Sequence, residues 1–264
     1  MPVITLTTDF GNKDGFVGTM KGVIWGICPE ARIADISHEV TPQRVSEGAA
    51  ILRRAAPYFA AGTVHIAVVD PGVGTERRAL AARIGAQYFV GPDNGLFTPL
   101  IADARHAGLE TTFVALDNPR YWLPQVSRTF HGRDIFAPVG AHLAGGVKLE
   151  ELGTCFSDPV LLPLTQPEKI NGGYRARVAA IDAFGNLATN LPWPQVAGRT
   201  LLIALKGRVI HGLATAYGQH QPGDLIALVD SNDFIEVAVV NGSAAEVLGA
   251  QVGDTLEVLF SEAE

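Results

Sequence analysis

The sequence predicts an α/β N-terminal domain with a mainly parallel sheet, followed by a smaller, antiparallel, β-barrel-like C-terminal domain. In the first half, short and almost wholly apolar runs alternate with segments of helical periodicity, which is typical of parallel strands covered on both faces. In the second half, short segments of alternating polarity follow one another closely, with turn residues between them. We expect the domains to span 1–160 and 173–264, joined by a linker at 161–172 that is rich in proline, glycine and polar residues.

The first five elements alternate between strand and helix. The strands are the apolar runs VITLTTD, ARIADIS and TVHIAVVD. The first helix lies in GFVGTMKGVIWGICP, and its apolar face is formed by Phe16, Met20, Val23, Ile24 and Ile27. The second helix is expected to begin at Pro42, with Thr41 as its N-cap, because proline is favoured at the first helical position.

Beyond the third strand the pattern is less specific. The runs ALAARI and QYFVGP indicate either a hairpin or two further strands, and GLFTPLIADARHAG and DIFAPVGAHLAGG indicate two helices. Six short strands are predicted in the second half: YRARVAAID, TLLIALKG, RVIHGL, DLIALVD, FIEVAVVN and DTLEVLF. Their close spacing fits either a small antiparallel barrel or a sandwich.

Composition argues against several classes of function. The 264 residues include 20 basic and 27 acidic side chains, a net charge of −7, without the clustered Lys and Arg of a general nucleic-acid-binding surface. Cys28 and Cys155 are too far apart in sequence to indicate a disulfide framework or a zinc site. There is no signal-peptide pattern and no membrane-spanning apolar run. We therefore expect a soluble, cytoplasmic protein with no nucleic-acid or membrane partner, no metal and no cofactor.

Polar residues end three consecutive predicted strands. The first strand ends at Asp9, the second near His38 and the third at Asp70. Ligands of parallel α/β sheets bind at the carboxyl ends of the strands, so these three side chains are expected at one edge. The simpler interpretation is that they solubilise loops and cap helices.

The segment VVDPGVGTERR, which contains Asp70, is a glycine-rich loop after a strand but does not fit a phosphate-binding loop. It has neither the GxxxxGK[ST] pattern of a Walker loop nor the GxGxxG pattern of a dinucleotide site. A carboxylate at its mouth favours a cation or a hydroxyl-bearing ligand instead.

Two further clusters are candidates for function. In FHGRDIFAP, His131 lies just before a predicted helix, with an arginine and an aspartate close by. In IDAFGNLATN, Asp182, Phe184 and Asn186 surround a glycine turn. This second pattern fits an ordinary hairpin turn, but an aromatic ring between a carboxylate and an amide also suits a purine, which would stack on the ring and be bound at its edges.

Six segments, taken in order, closely resemble the S-adenosyl-L-methionine (SAM) hydroxide adenosyltransferases, the hydrolytic relatives of the bacterial fluorinating and chlorinating enzymes. They are TTDFGNKDGFVGTMKGVI, HEVTP, VVDPGVGTERR, FHGRDIFAPVGAHLA, IDAFGNLATN and NGSAA, and together they extend over nearly the whole chain. The resemblance implies hydrolysis of SAM to adenosine and L-methionine by attack of water or hydroxide at ribose C5′. It also implies a homotrimer whose active sites lie between the N-terminal domain of one subunit and the C-terminal domain of the next.

The resemblance also implies roles for individual residues. The catalytic set falls on Asp70, Arg77 and His131, whereas Arg78 is expected to point elsewhere, as a structural or surface residue. The substrate-binding residues it implies are Asp9 for the ribose, Asp14 for the methionine ammonium, Asp182, Phe184 and Asn186 for adenine, Ser231, Glu236 and Asn241 for the methionine carboxylate, and Tyr217 for an aromatic wall.

The sequence departs from the halogenating relatives in ways that bear on the reaction. Those enzymes have an insertion after the segment that matches Arg78, an aromatic residue in place of His131, a small hydroxylated residue in place of Gly132 and a tryptophan in place of Gln43. The changes make the pocket more polar, which suits water and disfavours a dehydrated halide. The alternatives are a 5′-halogenating transferase acting on SAM and a non-catalytic protein that binds adenosine or SAM.

Overall fold

The computed structural model describes residues 1–261 and divides the chain into two compact units, Met1–Leu164 and a second that begins at Thr165. Each unit has its own hydrophobic core. The segment 161–172, predicted as a linker, contains a short strand at Glu168–Ile170 that pairs within the second unit. No helix among residues 1–261 is long and apolar enough to cross a membrane.

The first unit is built on a seven-stranded sheet in the order β2-β1-β3-β5-β4-β6-β7. Its strands are β1 (Val3–Thr8), β2 (Arg32–Ser37), β3 (Val64–Val68), β4 (Ala79–Ile84), β5 (Gln87–Pro92), β6 (Thr111–Ala115) and β7 (Thr154–Phe156). Its α-helices are α1 (Phe16–Ile27), α2 (Val45–Ala55), α3 (Thr98–His106) and α4 (Ala137–Ala144).

The core of this sheet is parallel, as predicted. Strand β1 pairs in parallel with β2 on one side and β3 on the other, and β3 pairs in parallel with β5. Strands β4 and β5 form an antiparallel hairpin, which decides between the two alternatives for that segment. Because β1, β2 and β3 are parallel neighbours, the segments that follow them emerge at the same edge of the sheet.

Helix α1 has the predicted bounds to within a residue or two, but one residue of its predicted apolar face is not buried. Val17, Met20 and Ile24 pack in the core. Phe16, which we expected on the buried face, is 43% exposed at the start of the helix. Periodicity places a residue on a helix face, but the Phe16 side chain lines a cavity beside the start of α1 instead of packing in the core.

The predicted start of α2 is wrong. The helix begins at Val45 rather than Pro42, and Arg44 takes the N-cap position that we assigned to Thr41. The reason is local: Gln43 adopts a left-handed conformation, with φ of 66°, which no helix allows, and its N–H donates to Asp9 instead. The backbone before α2 is therefore used to hold a carboxylate.

The second unit is an antiparallel sheet that curls into a nearly closed barrel. Its strands are β8 (Glu168–Ile170), β9 (Gly173–Ile181), β10 (Leu187–Pro192), β11 (Thr200–Leu205), β12 (Arg208–His211), β13 (Leu225–Val229), β14 (Phe234–Val239) and β15 (Thr255–Ser261), and its one described α-helix is α5 (Ala244–Leu248). The main order is β12-β11-β15-β9-β10-β14-β13, with β8 beside β9. The end strands approach each other where Ala214 N–H, just after β12, donates to the carbonyl of Ala227 in β13. The barrel-like prediction is confirmed.

Candidate active site

A cavity of about 370 Å³ opens at the carboxyl ends of β1 and β3. Three of the predicted functional residues, Asp9, Asp70 and His131, line it directly. It is also lined by Phe10, Phe16, Pro42, Gln43, Val68, Pro71, Val73, Thr129, Phe130 and Gly132. The strand-end argument therefore located the cavity, because parallel neighbours direct their following loops to one edge.

Arg77 and Asp70 form a bidentate ion pair. Its Nε donates to both carboxylate oxygens of Asp70, at 2.9 and 3.0 Å, and its Nη2 donates to Oδ2 as well. The two side chains are only 12% and 5% exposed, so little water screens them. Planar guanidinium and carboxylate groups paired in this way have a fixed mutual orientation. Asp70 is thus a rigid carboxylate at the cavity wall.

The loop between Asp70 and Arg77 depends on one glycine. Gly74 has φ of 77°, and a Cβ added there would lie 2.3 Å from the carbonyl oxygen of Arg128. Only glycine combines that backbone conformation with so close an approach. The loop packs against the segment that leads to His131, which brings the two parts of the site together.

Arg78 points away from the ion pair, as expected. Its Nε donates to Asp93, its Nη1 donates to Asp158, and its guanidinium lies 4.2 Å from the centre of the Phe156 ring. These contacts connect three separate segments of the first unit. Arg78 therefore has a structural position, although it differs from Arg77 by a single step along the chain.

His131 is bonded to the same arginine. Arg77 Nη2 lies 2.9 Å from His131 Nδ1. A guanidinium can only donate hydrogen bonds, so Nδ1 must accept, and the neutral ring then carries its proton on Nε2. Burial lowers the pKa of His131 and the charge of Arg77 lowers it further, while Asp70 and the Ser127 backbone act in the opposite direction. The surroundings thus favour the neutral imidazole.

The segment that carries His131 is held in place by a buried aspartate. Asp134 is fully buried and accepts hydrogen bonds from the backbone N–H and the hydroxyl of Ser127, at 2.8 and 2.7 Å. The partner charge of Arg133 and these bonds outweigh burial, and the pKa of Asp134 is lowered. Residues Gly132–Phe136 form one turn of π-helix before α4. Such turns are frequent at functional sites, where they redirect a side chain.

Asp9 faces the cavity from the end of β1. Its Oδ2 accepts the backbone N–H of Gln43 at 2.8 Å. Its other oxygen has no donor among the hydrogen bonds of residues 1–261, so it is available to a ligand. His38, predicted at the same edge, is not in the cavity lining and is 4% exposed. The sequence therefore predicted the correct edge of the sheet for His38, but it did not predict that the side chain is buried.

Aromatic side chains of the cavity were missed in the sequence. Phe10, Phe16 and Phe130 contact one another edge to face, with ring centres 5.2 to 5.9 Å apart. The signal was present in TTDFG, where an apolar ring follows the strand-end carboxylate directly. These rings form an apolar wall opposite charged groups, which is the usual composition of a small-molecule site.

The remaining predicted residue of the first unit, Asp14, is not part of the cavity lining. It is exposed in the loop before α1. Its proposed contact with a methionine ammonium is therefore a prediction that the described contacts do not test.

In the second unit, Asp182 and Asn186 form one closed turn between β9 and β10. Asp182 Oδ1 accepts the N–H groups of Phe184 and Asn186, and its Oδ2 accepts the Asn186 side-chain amide at 3.0 Å. Phe184, at the tip, is 78% exposed. The turn resembles an Asx turn in its bonding, yet it presents a large aromatic ring that is mostly exposed.

The three residues assigned to the methionine carboxylate do not form one cluster. Ser231 precedes β14 and Asn241 follows it, so they lie at opposite ends of that strand. Glu236, between them, is 8% exposed and accepts the Tyr217 hydroxyl at 2.5 Å. Burial and this carboxylate raise the pKa of Tyr217. A buried carboxylate is chemically unsuited to bind a second carboxylate, because like charges repel.

Comparisons with known proteins identify the family of this chain. The SAM hydroxide adenosyltransferase N-terminal domain matches residues 4–153, and the corresponding C-terminal domain matches residues 176–257. An (R)-S-adenosyl-L-methionine hydrolase from Salinispora arenicola is 43% identical over 263 residues, which cover 97% of each chain. A solved structure of an uncharacterized conserved protein from Thermotoga maritima superposes with a TM-score of 0.89 at 37% identity, covering 97% of this chain and 99% of that one.

A fluorinase from an Actinoplanes species is more distant. It is 31% identical over 217 residues, which cover 72% of each chain. The full-length matches to hydrolases and the shorter match to this fluorinase confirm the resemblance drawn from the sequence motifs. The chain belongs to the SAM hydroxide adenosyltransferase family.

Proposed function

We propose that this protein hydrolyses S-adenosyl-L-methionine to adenosine and L-methionine by attack of water or hydroxide at ribose C5′. The observation that carries the proposal is the bonded set Asp70–Arg77–His131, in which Asp70 and His131 line the cavity and Arg77 binds both of them from outside the lining. The full-length relatives named (R)-S-adenosyl-L-methionine hydrolase support it.

The chemical problem of this reaction is the nucleophile. The sulfonium is a good leaving group, so no acid is needed at sulfur, whereas bulk water has a pKa of about 15.7. In the displacement, the C5′–O bond forms as the C5′–S bond breaks, and the electron pair passes to sulfur to give neutral methionine. The attacking water loses a proton, which passes to solvent. Because Arg77 engages both oxygens of Asp70 and a paired carboxylate is a weak base, Asp70 positions the water by accepting a hydrogen bond rather than by simple abstraction of the proton.

His131 is poorly placed to take that proton itself. Its Nδ1 lone pair is engaged by Arg77, and its lowered pKa makes the ring a weak base. We therefore assign His131 a neutral, orienting role and Arg77 the stabilisation of hydroxide-like charge, with Asp70 binding the attacking oxygen. Fixed charges and dipoles of this kind are typically worth 10² to 10³-fold in rate per group. Alignment of the attacking oxygen, C5′ and sulfur supplies a further part of the rate enhancement.

For the rest of the substrate, the proposal follows the predicted contacts. Asp9, with a free oxygen at the cavity, suits two ribose hydroxyls. Phe184 and Asn186 suit adenine, with Asp182 as the residue that shapes their turn. Asp14 is proposed for the methionine ammonium, and Ser231 and Asn241 are candidates for its carboxylate, while Glu236 fits an amino group better than a carboxylate.

We further propose that the protein is a homotrimer with each site shared between two subunits. The exposure of the Phe184 ring, 78% within residues 1–261, supports this arrangement. The test is to mix Arg77→Met subunits, impaired in rate, with Phe184→Ala subunits, impaired in binding, and to measure activity at a SAM concentration well below KM. Recovery of activity is expected, and its absence from a proven mixed oligomer would refute shared sites.

The test of the reaction is isotopic. Incubation with SAM in ¹⁸O-water should give adenosine labelled at the 5′ oxygen and unlabelled methionine. If the protein binds adenosine but forms no labelled product, the result would support the alternative of a non-catalytic binding protein. Formation of 5′-chloro- or 5′-fluoro-adenosine in the presence of the halide would support transfer to a halide, which the carboxylates of Asp9 and Asp70 disfavour.

A further inference from the structure

A chain of polar contacts lies beneath Asp9 and is not explained by catalysis. We propose that His38 is a positioning residue, which acts through Thr8 to hold the Asp9 carboxylate in place for the ribose hydroxyls. The inference rests on the proposed function and deepens it, because it identifies what sets the geometry of the ribose contact.

His38 holds the backbone on both sides of Asp9. Its Nδ1 lies 2.9 Å from the Thr8 hydroxyl, and that hydroxyl accepts the N–H of Phe10 at 3.3 Å. The backbone carbonyl of His38 accepts the N–H of Gly11 at 2.8 Å. Thr8, Phe10 and Gly11 surround Asp9 in the chain, so the path of the backbone at Asp9 is set largely by one side chain and its own carbonyl.

The other end of the chain is anchored by charge. His38 Nε2 lies 3.1 Å from Asp35 Oδ1. Lys21 Nζ, from α1, binds the second oxygen of Asp35 at 2.6 Å. Asp35 and Lys21 are partly exposed, whereas the His38 side chain is 3% exposed. The contacts therefore lead from the surface, through a buried ring, to the residue before Asp9.

The arrangement Asp35–His38–Thr8 resembles a catalytic triad in order but cannot act as one. Thr8 is fully buried, and neither Thr8 nor His38 lines the cavity. A nucleophile must be able to reach its substrate. What the arrangement can do is restrict Asp9, whose Gln43 contact holds only one of its two oxygens.

The same strand offers a matched control. Thr5, also in β1 and also fully buried, has its hydroxyl 2.8 Å from Nδ1 of the buried His65. Thr5 lies three residues from Thr8 and has no contact with the Asp9 loop among its hydrogen bonds in residues 1–261. Thr5→Val and Thr8→Val therefore remove the same group from the same kind of pair, and a general effect of losing a buried hydroxyl should be alike in both.

The test measures binding of adenosine and 2′,3′-dideoxyadenosine by calorimetry. Thr8→Val is expected to weaken adenosine binding by about three- to tenfold, the range for one misaligned hydrogen bond, and to leave dideoxyadenosine binding unchanged. Thr5→Val should change neither. In turnover assays, Thr8→Val should raise KM for SAM with little change in kcat.

Two further variants keep the proposal testable if Thr8→Val does not fold. His38→Asn keeps a polar group near the position of Nδ1 and should retain most of the adenosine affinity, whereas His38→Ala should lose it. Equal losses in Thr5→Val and Thr8→Val, or equal losses for the two ligands, would overturn the positioning role alone. Absence of adenosine binding by the unaltered protein would overturn the proposed function as well.

Discussion

The candidate residues of the two units differ in how they are held. In the first unit they contact one another: Arg77 binds both Asp70 and His131, and the side chains of Arg77 and Asp70 are largely shielded from water. In the second unit they contact their own turns: Asp182 and Asn186 close a single loop, and Phe184 stands exposed at its tip. The arrangement in the first unit orients charged groups before a ligand binds. The arrangement in the second unit presents an exposed ring on which a ligand can stack.

This difference separates the two tasks of the proposed reaction. Charge stabilisation requires groups fixed in a poorly screened environment, because reorganisation would cost free energy at the moment of reaction. Stacking on a purine requires only an exposed ring in a defined place. Loss of a group in the first unit should therefore affect rate, and loss of Phe184 should affect binding.

The largest effect is expected from Arg77→Met. It removes the partner of both Asp70 and His131, and it should reduce kcat by about 10² to 10³-fold while adenosine binding persists. The control is Arg78→Met, which removes the contacts to Asp93, Asp158 and the Phe156 ring, none of them in the catalytic set, and should leave kcat within a fewfold. Comparable losses in the two variants, measured by single-turnover kinetics, would contradict the distinction between the two arginines.

Phe184→Ala should weaken adenosine binding by about 5- to 150-fold, the equivalent of about 1–3 kcal/mol of base stacking. Its effect on the free energy of unfolding should be small, because the ring is 78% exposed. Tyr58→Ala is the matched control: Tyr58 is also 78% exposed but lies in the first unit away from the cavity lining. An unchanged adenosine Kd in Phe184→Ala would remove the stacking role.

Gly74→Ala tests the loop that joins Asp70 to Arg77. It should lower the free energy of unfolding by more than about 1–2 kcal/mol, because a left-handed conformation and a clash with the Arg128 carbonyl combine. Gly11→Ala has a similar φ of 62° and no atom within 4 Å of the added Cβ, so it should show only the conformational cost. Thermal unfolding of the two variants measures the difference. Equal decreases in Tm would mean that the close approach of Gly74 to the Arg128 carbonyl does not contribute to stability.

The smallest expected effect is on the titration of His131. Because burial and Arg77 lower its pKa, the midpoint of the His131 Cε1–H resonance in an NMR titration should lie below 6.5. The neutral ring is present above that midpoint and is lost as the pH falls through it, so the acid limb of activity should also lie below pH 6.5. Arg77→Met should raise the midpoint, and a midpoint at or above 6.5 in the unaltered protein would contradict the neutral assignment.

Much of the fold could be predicted from the amino-acid sequence. Near-continuous apolar runs predicted β1 and β3 as parallel strands, since a strand buried on both faces requires such a run. Strand β2 was also predicted, but it lies at the edge of the sheet and none of its residues is fully buried. The start of α2 did not follow, because the left-handed Gln43 serves the Asp9 carboxylate, a tertiary contact that local propensity does not contain. Phe16 was misplaced for a similar reason, since its exposure reflects a cavity beside the helix.

For the site, the strand-end rule located Asp9 and Asp70 at one edge, and the motif resemblance pointed to Arg77 and His131. The sequence by itself determined which residue types are present and the order of strands and helices, because polarity patterns and backbone preferences act along the chain. The motif resemblance also assigned Arg77 rather than Arg78 to Asp70, which the structure bears out. Only the tertiary structure decided that His131 accepts a hydrogen bond from Arg77, and that the buried His38 contacts Thr8 next to Asp9. Those outcomes depend on contacts between segments 30 to 60 residues apart, whose distances and hydrogen-bond directions exist only once the sheet has formed.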